Sequence, residues 1–342
     1  MRILNQVGYA TGLGADRWIG GGYKDAFESM GHEFFWYVVA HDDFAARIAE
    51  VQPDIMIIAQ DMLRAKNRMA IAEARARGTK VVLRVDSFFD ADPEVAQSLR
   101  DYDLADIYFG EVEDPHMDRF KEVTKKPYVI IANAAYRTQR PGVPMQKYKA
   151  DIVFLGAMLP KKKEMFRTLL FPLMKRYQVK VYGPGWTIKD NAMRIAARLA
   201  REAGLMKLND KISRARISVP PDEEGSLYSS AKICINLHER GPEANVILNE
   251  RTFKIPACGG FEVCDFVPAL RRYFTESEMA MATPPFNGGS WEQDWFKKID
   301  YYMTHEMERE RMQERGTARA LRDHTYVNRV HQIFELLGIR TA

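Results

Sequence analysis

Short apolar runs alternate with amphipathic stretches along the first 130 residues. Residues 2–7, 34–39, 55–59 and 80–85 are strand-like, whereas residues 20–30, 44–51 and 64–77 repeat their apolar positions at helical spacing. This βαβ rhythm predicts a parallel sheet with helices on its faces. Residues 107–109 and 128–132 add two more short strands, and the polar, Pro- and Gly-containing stretch 136–149 reads as a linker. The rhythm then restarts with a strand at 151–156, a helix over 162–177, a strand at 179–182 and a Gly-Pro-Gly turn. Strands at 233–237 and 260–264 enclose a helix over 249–258, and from Trp295 the pattern is helical and highly charged, ending in a helix over 324–337. A second α/β domain follows. The expected boundaries are 1–140 for the first domain, 141–150 for the linker, 151–316 for the second domain and 317–342 for a C-terminal helix that packs back across the domains.

Composition narrows the class. The chain has 342 residues, 46% of them hydrophobic and 28% charged, enough for two cores of common domain size. It has no apolar run of about 18 residues, and its N-terminus lacks a signal-peptide profile, so the expected compartment is the cytoplasm. Three cysteines, Cys234, Cys258 and Cys264, form no CxxC pair and no zinc-type spacing, so they are expected to be reduced, buried thiols. A net charge of +4 permits anion handling without establishing nucleic-acid binding.

Several positions are candidates for chemistry. Gly12 and Gly14 lie in a glycine-rich loop after the first strand, where backbone amides can approach a ligand or the loop can serve as a plain turn. Arg17 stands three residues after Gly14, where the third glycine of a dinucleotide fingerprint belongs, so that glycine is missing and an NAD-dependent oxidoreductase is disfavoured. Asp86, at the end of a strand, is either a general base or a carboxylate satisfying loop amides; His41 is the rival base or a solvated turn residue. Asp90-Ala91-Asp92 spells a metal-binding DxD, yet it precedes Pro93 and Glu94 at a helix start. We assign it to capping and expect no required metal. Lys162 and Lys163 stand at a helix start, where cations oppose the macrodipole, and so suggest an anion nearby or a solvated charge run. Gly183 and Trp186 form a turn in which the indole lines a cleft or simply packs.

Further along, the chain reads Ala231-Lys232-Ile233-Cys234-Ile235-Asn236-Leu237-His238, then Asn249-Glu250-Arg251-Thr252-Phe253-Lys254-Ile255-Pro256-Ala257-Cys258-Gly259-Gly260. Tyr301-Tyr302-Met303-Thr304-His305 follows, and then His324-Thr325-Tyr326 with Arg329. This series resembles the CgeB-like glycosyltransferases, a branch of the group 1 type with the GT-B fold. The resemblance implies two Rossmann-like domains around a cleft, no cofactor, and a nucleoside diphosphate sugar, expected to be a UDP-sugar, as co-substrate. It further implies that the helix beginning near Asn249 faces the donor diphosphate and that Arg251 pairs with the phosphates; a salt bridge to Glu250 or Asp265 is the alternative. Where the family carries glutamate for the donor ribose, this chain has Lys254, which cannot accept hydrogen bonds from hydroxyls. The E-x7-E pair of retaining relatives is absent, with Val246 and Lys254 at its positions. A weaker likeness extends to the DNA glucosyltransferases of T-even phages, through Asp86 and Arg251.

The expectation is therefore a metal-independent, inverting glycosyltransferase with Asp86 as base. Its acceptor is a polysaccharide, a protein, a small molecule or modified DNA. A nucleotide-sugar epimerase and a non-catalytic nucleotide-binding protein of the same fold are the alternatives.

Overall fold

In the computed structural model, residues 1–8, 18–112, 114–239, 248–286 and 288–340 are described. Gly12 and Gly14 lie outside them. The chain divides into two compact units, the first built from Met1–Arg137, Leu248 and residues 325–340, the second from Thr138–Glu239 and Asn249–His324.

Within the described residues the first unit holds β1 (Arg2–Val7), β2 (Glu33–Val38), β3 (Ile55–Ala59), β4 (Lys80–Arg84), β5 (Ile107–Gly110) and β6 (Val129–Ile130), all parallel, in the order β2-β1-β3-β4-β5-β6. Successive side chains leave a strand on opposite faces. Leu4, Met56, Ile58, Val81 and Leu83 enter one core with Phe44, Ile48 and Phe120. Ile3, Ile55, Ile57 and Val82 enter another with Phe27, Tyr326, Val330 and Phe334. A strand buried on both faces has no need of polar alternation, which is why these runs are continuously apolar.

The second unit holds β7 (Ala150–Leu155), β8 (Val179–Tyr182), β9 (Ala231–Asn236), β10 (Glu262–Cys264) and β11 (Ala280–Met281), also parallel, in the order β11-β10-β9-β7-β8. Ile152, Phe154, Ile233, Ile235 and Val263 pack on one side with Phe166, Trp295 and Ile299; Val153 and Cys234 pack on the other with Tyr228, Ile255 and Cys258. All three cysteines are buried, free thiols. In both sheets the chain reverses its direction of winding beside the first strand, between β1 and β3 and between β7 and β9. Open parallel sheets bind ligands at the carboxyl ends of their strands at such a reversal.

Three segments differ from their sequence reading. Residues 138–149 are packed into the second unit, with Tyr148 buried and the Met145 amide donating to Ser230 Oγ at 2.8 Å. The helix expected over 162–177 is divided by a π turn at Phe166–Leu170. Pro172, which follows, has no amide to donate back into that turn and widens it. The helix expected over 249–258 is only Arg251–Ala257. Asn249 lies before it, and its Oδ1 accepts the Arg251 amide at 3.0 Å. The sequence reading gave no element to residues 188–215, which form two helices, Ile188–Glu202 and Met206–Ala215.

Candidate active site

At the reversal point of the second sheet, β9 ends in Asn236, whose side chain organises a buried polar chain. Its Oδ1 accepts from Asn249 Nδ2 at 3.0 Å and from Arg251 Nε at 3.2 Å. Its Nδ2 donates to Glu262 Oε1 at 2.8 Å and to Thr252 Oγ1 at 3.2 Å. Thr252 Oγ1 lies 3.0 Å from His238 Nε2, and His238 Nδ1 lies 2.7 Å from Asp265 Oδ1. One set of proton positions satisfies the whole chain: Asn236 donates to Thr252, Thr252 to His238 Nε2, and His238 Nδ1–H to Asp265. Burial pushes the Glu262 carboxyl well above the ordinary range, against the opposing pull of the Asn236 hydrogen bond and the Arg251 charge. The network fixes the Arg251 guanidinium from below through its Nε. Among the described residues, His238, Cys264 and Asp265 form a group with metal-ligand chemistry, their ligating atoms all within 4.8 Å of one another. Its His and Asp members are already bonded to each other.

Lys162 comes to the same place from the end of β7. It is buried, and its ammonium lies 3.2 Å from Glu239 Oε1. Burial lowers its pKa, and the neighbouring Arg251 charge lowers it further, while Glu239 opposes both. The second unit thus holds two cations within electrostatic reach of each other. Their counter-charges are Glu239 and Glu250, the latter 3.4 Å from Arg251 Nη1.

The first unit carries a recess of about 140 Å³ at the carboxyl ends of its strands. It is lined by Gln6 near the end of β1 and Gly8 after it, Ala59 at the end of β3, Arg84 at the end of β4 and Glu111 after β5, with Tyr23 on one wall. Arg84 Nη1 lies 3.8 Å from Glu111 Oε1. Sequence reading passed over Arg84 and Glu111, because only the sheet brings the ends of β4 and β5 to the same edge as those of β1 and β3.

Asp86 is exposed just beyond β4, and its Oδ1 accepts from Phe88 N at 2.8 Å and from Gln60 Nε2 at 3.1 Å. It is not among the residues lining the recess. His41 is exposed in the turn after β2. Asp92 caps the helix Pro93–Asp101 by accepting from the Glu94 and Val95 amides, and Asp90 pairs with Arg119, so the DxD spelling is occupied by local structure. Lys163 is exposed, apart from the buried Lys162. Gly183 has φ +115°, and a Cβ there would lie 2.5 Å from the Gly156 carbonyl, so glycine is required by packing. Trp186 donates its indole N–H to Gly156 O at 2.6 Å and packs edge-on to Phe154, which holds it, half-buried, against the core. Lys254 is buried, 3.1 Å from Glu224 Oε2, with side-chain exposures of 3% and 1% for the pair.

Residues 161–335 match the model of the family described as glycosyl transferase-like. The chain belongs to this family. No curated protein sequence matches it. Among solved structures it is similar to sucrose-phosphate synthase from Thermosynechococcus elongatus, at 12% identity over 98% of each chain and a TM-score of 0.61. It is likewise similar to an alpha-glucosyltransferase in complex with UDP and a 13-mer DNA containing an HMU base, at 13% identity over 99% of each chain and a TM-score of 0.62. A third is Anabaena Alr3699/HepE in complex with UDP-glucose, at 14% identity over 99% of each chain and a TM-score of 0.62. These likenesses show the GT-B fold. No helix among the described residues is long and apolar enough to cross a membrane.

Within this glycosyl transferase-like chain, the closing His324-Thr325-Tyr326 and Arg329 do structural work. His324 Nε2 lies 2.7 Å from the Tyr273 carbonyl. Thr325 and Asn328 form a capping box on the helix Tyr326–Leu336. The Tyr326 amide donates to Ala135 O at 3.0 Å, and Arg329 Nε to Ala132 O at 2.9 Å.

Proposed function

We propose that this protein transfers a hexosyl or pentosyl unit from a UDP-sugar to an acceptor hydroxyl, without a metal ion, as a CgeB-like enzyme of the cytoplasm. The observation that carries the reading is the pairing of Lys162 with Arg251 at the reversal point of the second sheet. Two buried cations repel each other, and a diphosphate between them relieves that repulsion while its own charge is neutralised. The same two groups stabilise the negative charge that grows on the leaving UDP as the glycosidic bond breaks, which is the task a metal performs elsewhere. UDP is the nucleotide we assign because UDP or UDP-glucose is named with two of the similar structures. Asn249 orients the start of the Arg251–Ala257 helix and Lys254 stands behind it. Gly12, Gly14, Lys163, Gly183 and Trp186 complete the proposed donor side. The acceptor occupies the first unit.

Asp86 is the proposed base, taking the acceptor proton as the hydroxyl attacks the anomeric carbon in line, with inversion; His41 is the substitute for it. A second reading of the base is favoured by one observation, that Glu111 rather than Asp86 lines the recess of the first unit.

A thermal-shift screen of nucleotides and nucleotide sugars tests the donor side. A UDP-sugar at about 100 times its Kd adds about 2.7 kcal/mol to the native state, a readily visible shift. Arg251→Ala is expected to remove that shift and the turnover. Arg251→Lys, which keeps the charge, controls for folding. Asp86→Asn is expected to slow transfer by about 10²- to 10⁴-fold, the usual contribution of a general base. Turnover retained in Arg251→Ala sinks the donor assignment. A normal rate in Asp86→Asn beside a slow Glu111→Gln moves the base to the recess.

A further inference from the structure

The helices Ile188–Glu202 and Met206–Ala215 form a hairpin inserted between β8 and β9. Ile188, Ile195 and Leu199 recur at intervals of seven and four, which stacks them on one stripe of the first helix. They are 91%, 57% and 60% exposed. The buried residues of that helix, Ala197 and Ala200, lie on its other side, so the apolar stripe points away from the packing surface. Leu205 and Leu208, at the turn and on the second helix, are also exposed. A helix ordinarily buries its apolar stripe and exposes its polar one. Here the apolar stripe is exposed.

The charge on this hairpin is as unusual as its apolar face. The two helices carry seven Lys and Arg against three Asp and Glu, a net +4. The whole chain nets +4, so everything outside the hairpin sums to zero. Lys189, Arg194, Arg198, Lys207 and Lys211 are exposed.

We infer that this hairpin docks the protein on an anionic membrane surface. Apolar side chains interleaved with cations match the boundary between lipid headgroups and acyl chains, where the former insert and the latter meet lipid phosphates. A nucleic-acid backbone would engage the cations but leave three aliphatic side chains against phosphate and sugar. A second copy of the chain would bring two +4 surfaces face to face. The hairpin lies apart from Lys162 and Arg251 in the sequence, and the inference does not depend on the reaction proposed above.

Vesicle flotation tests it on the full chain. The wild type is expected to float with phosphatidylcholine vesicles containing about 30 mol % phosphatidylglycerol, to float poorly with phosphatidylcholine alone, and to be released by raised salt. The triple variant Ile188→Ser, Ile195→Ser, Leu199→Ser is expected to lose binding about tenfold or more, with its melting temperature unchanged. Arg194→Glu with Lys207→Glu is expected to lose the anionic-lipid preference. The inference is overturned if the wild type floats with neither vesicle, or equally with both. It is also overturned if the triple variant floats like the wild type. Two further results overturn it without vesicle binding: a duplex DNA complex, or a dimer, that the triple variant abolishes.

Discussion

Lys254 stands where the resemblance drawn from the sequence leads one to expect a glutamate, and its surroundings supply it with a partner. An ammonium buried without a partner costs several kcal/mol, and Glu224 lies 3.1 Å away at 1% exposure. The carboxylate stands on the helix Glu224–Ser229 and the ammonium on Arg251–Ala257, so each buried charge is neutralised by the other. Lys254→Glu alone sets a second carboxylate against Glu224. It is expected to lower stability by about 3–5 kcal/mol, the usual cost of breaking a buried pair. Glu224→Lys combined with Lys254→Glu restores opposite charges and is expected to recover at least half of the loss, measured by urea unfolding. An unchanged stability in the single variant would show that the two side chains are not coupled. From the sequence, Lys254 was legible as a departure. Glu224 was not, because its partnership depends on two helices meeting 30 residues apart in the chain.

Elements built from apolar runs were the most legible. β3 and β8 occupy the residues their sequences predicted: β3 because a strand buried on both faces announces itself by composition alone, and β8, a half-buried edge strand, because its β-branched Val179 and Val181 alternate with Lys180 and Tyr182. The helix Phe44–Val51 did so through its apolar spacing. The hairpin at 188–215 escaped notice because its apolar residues are diluted by arginine and lysine and face outward. The polar chain through Asn236, Thr252, His238 and Asp265 escaped because it joins two strands and a helix that only the sheet order brings together. A tight helix pairing in the first unit was equally invisible. A Cβ on Gly22, in the helix Ile19–Ser29, would lie 2.0 Å from the Tyr326 ring. Tyr326 is buried and meets the Tyr23 ring edge-on at 4.9 Å, so it has nowhere to retreat. Gly22→Ala is expected to cost about 1–3 kcal/mol through overpacking. The same substitution in a Tyr326→Ala background should cost less, and a double-mutant cycle measured by thermal unfolding checks the coupling.

At the scale of the whole molecule, the final helix belongs to the unit formed by the start of the chain. Tyr326, Val330, Ile333 and Phe334 are all buried in the core that also holds Ile3, Phe27 and Ile57. Burying four such side chains contributes roughly 6–12 kcal/mol, comparable with the total stability of a domain. A fragment ending at Arg137 would keep all six strands of its sheet and still lack one wall of the core. The central fragment, residues 138–324, keeps both of its cores. The first fragment alone is therefore expected to be aggregated or molten, with weak near-ultraviolet dichroism, and the same fragment joined by a short Gly-Ser linker to residues 325–340 is expected to fold cooperatively. A cooperative thermal transition in the unjoined fragment would show that the sheet and its own helices suffice. Recovery on joining would place the folding of the first unit after synthesis of the helix Tyr326–Leu336, so that a nascent chain exposes Phe27 and Ile57 until that helix is made.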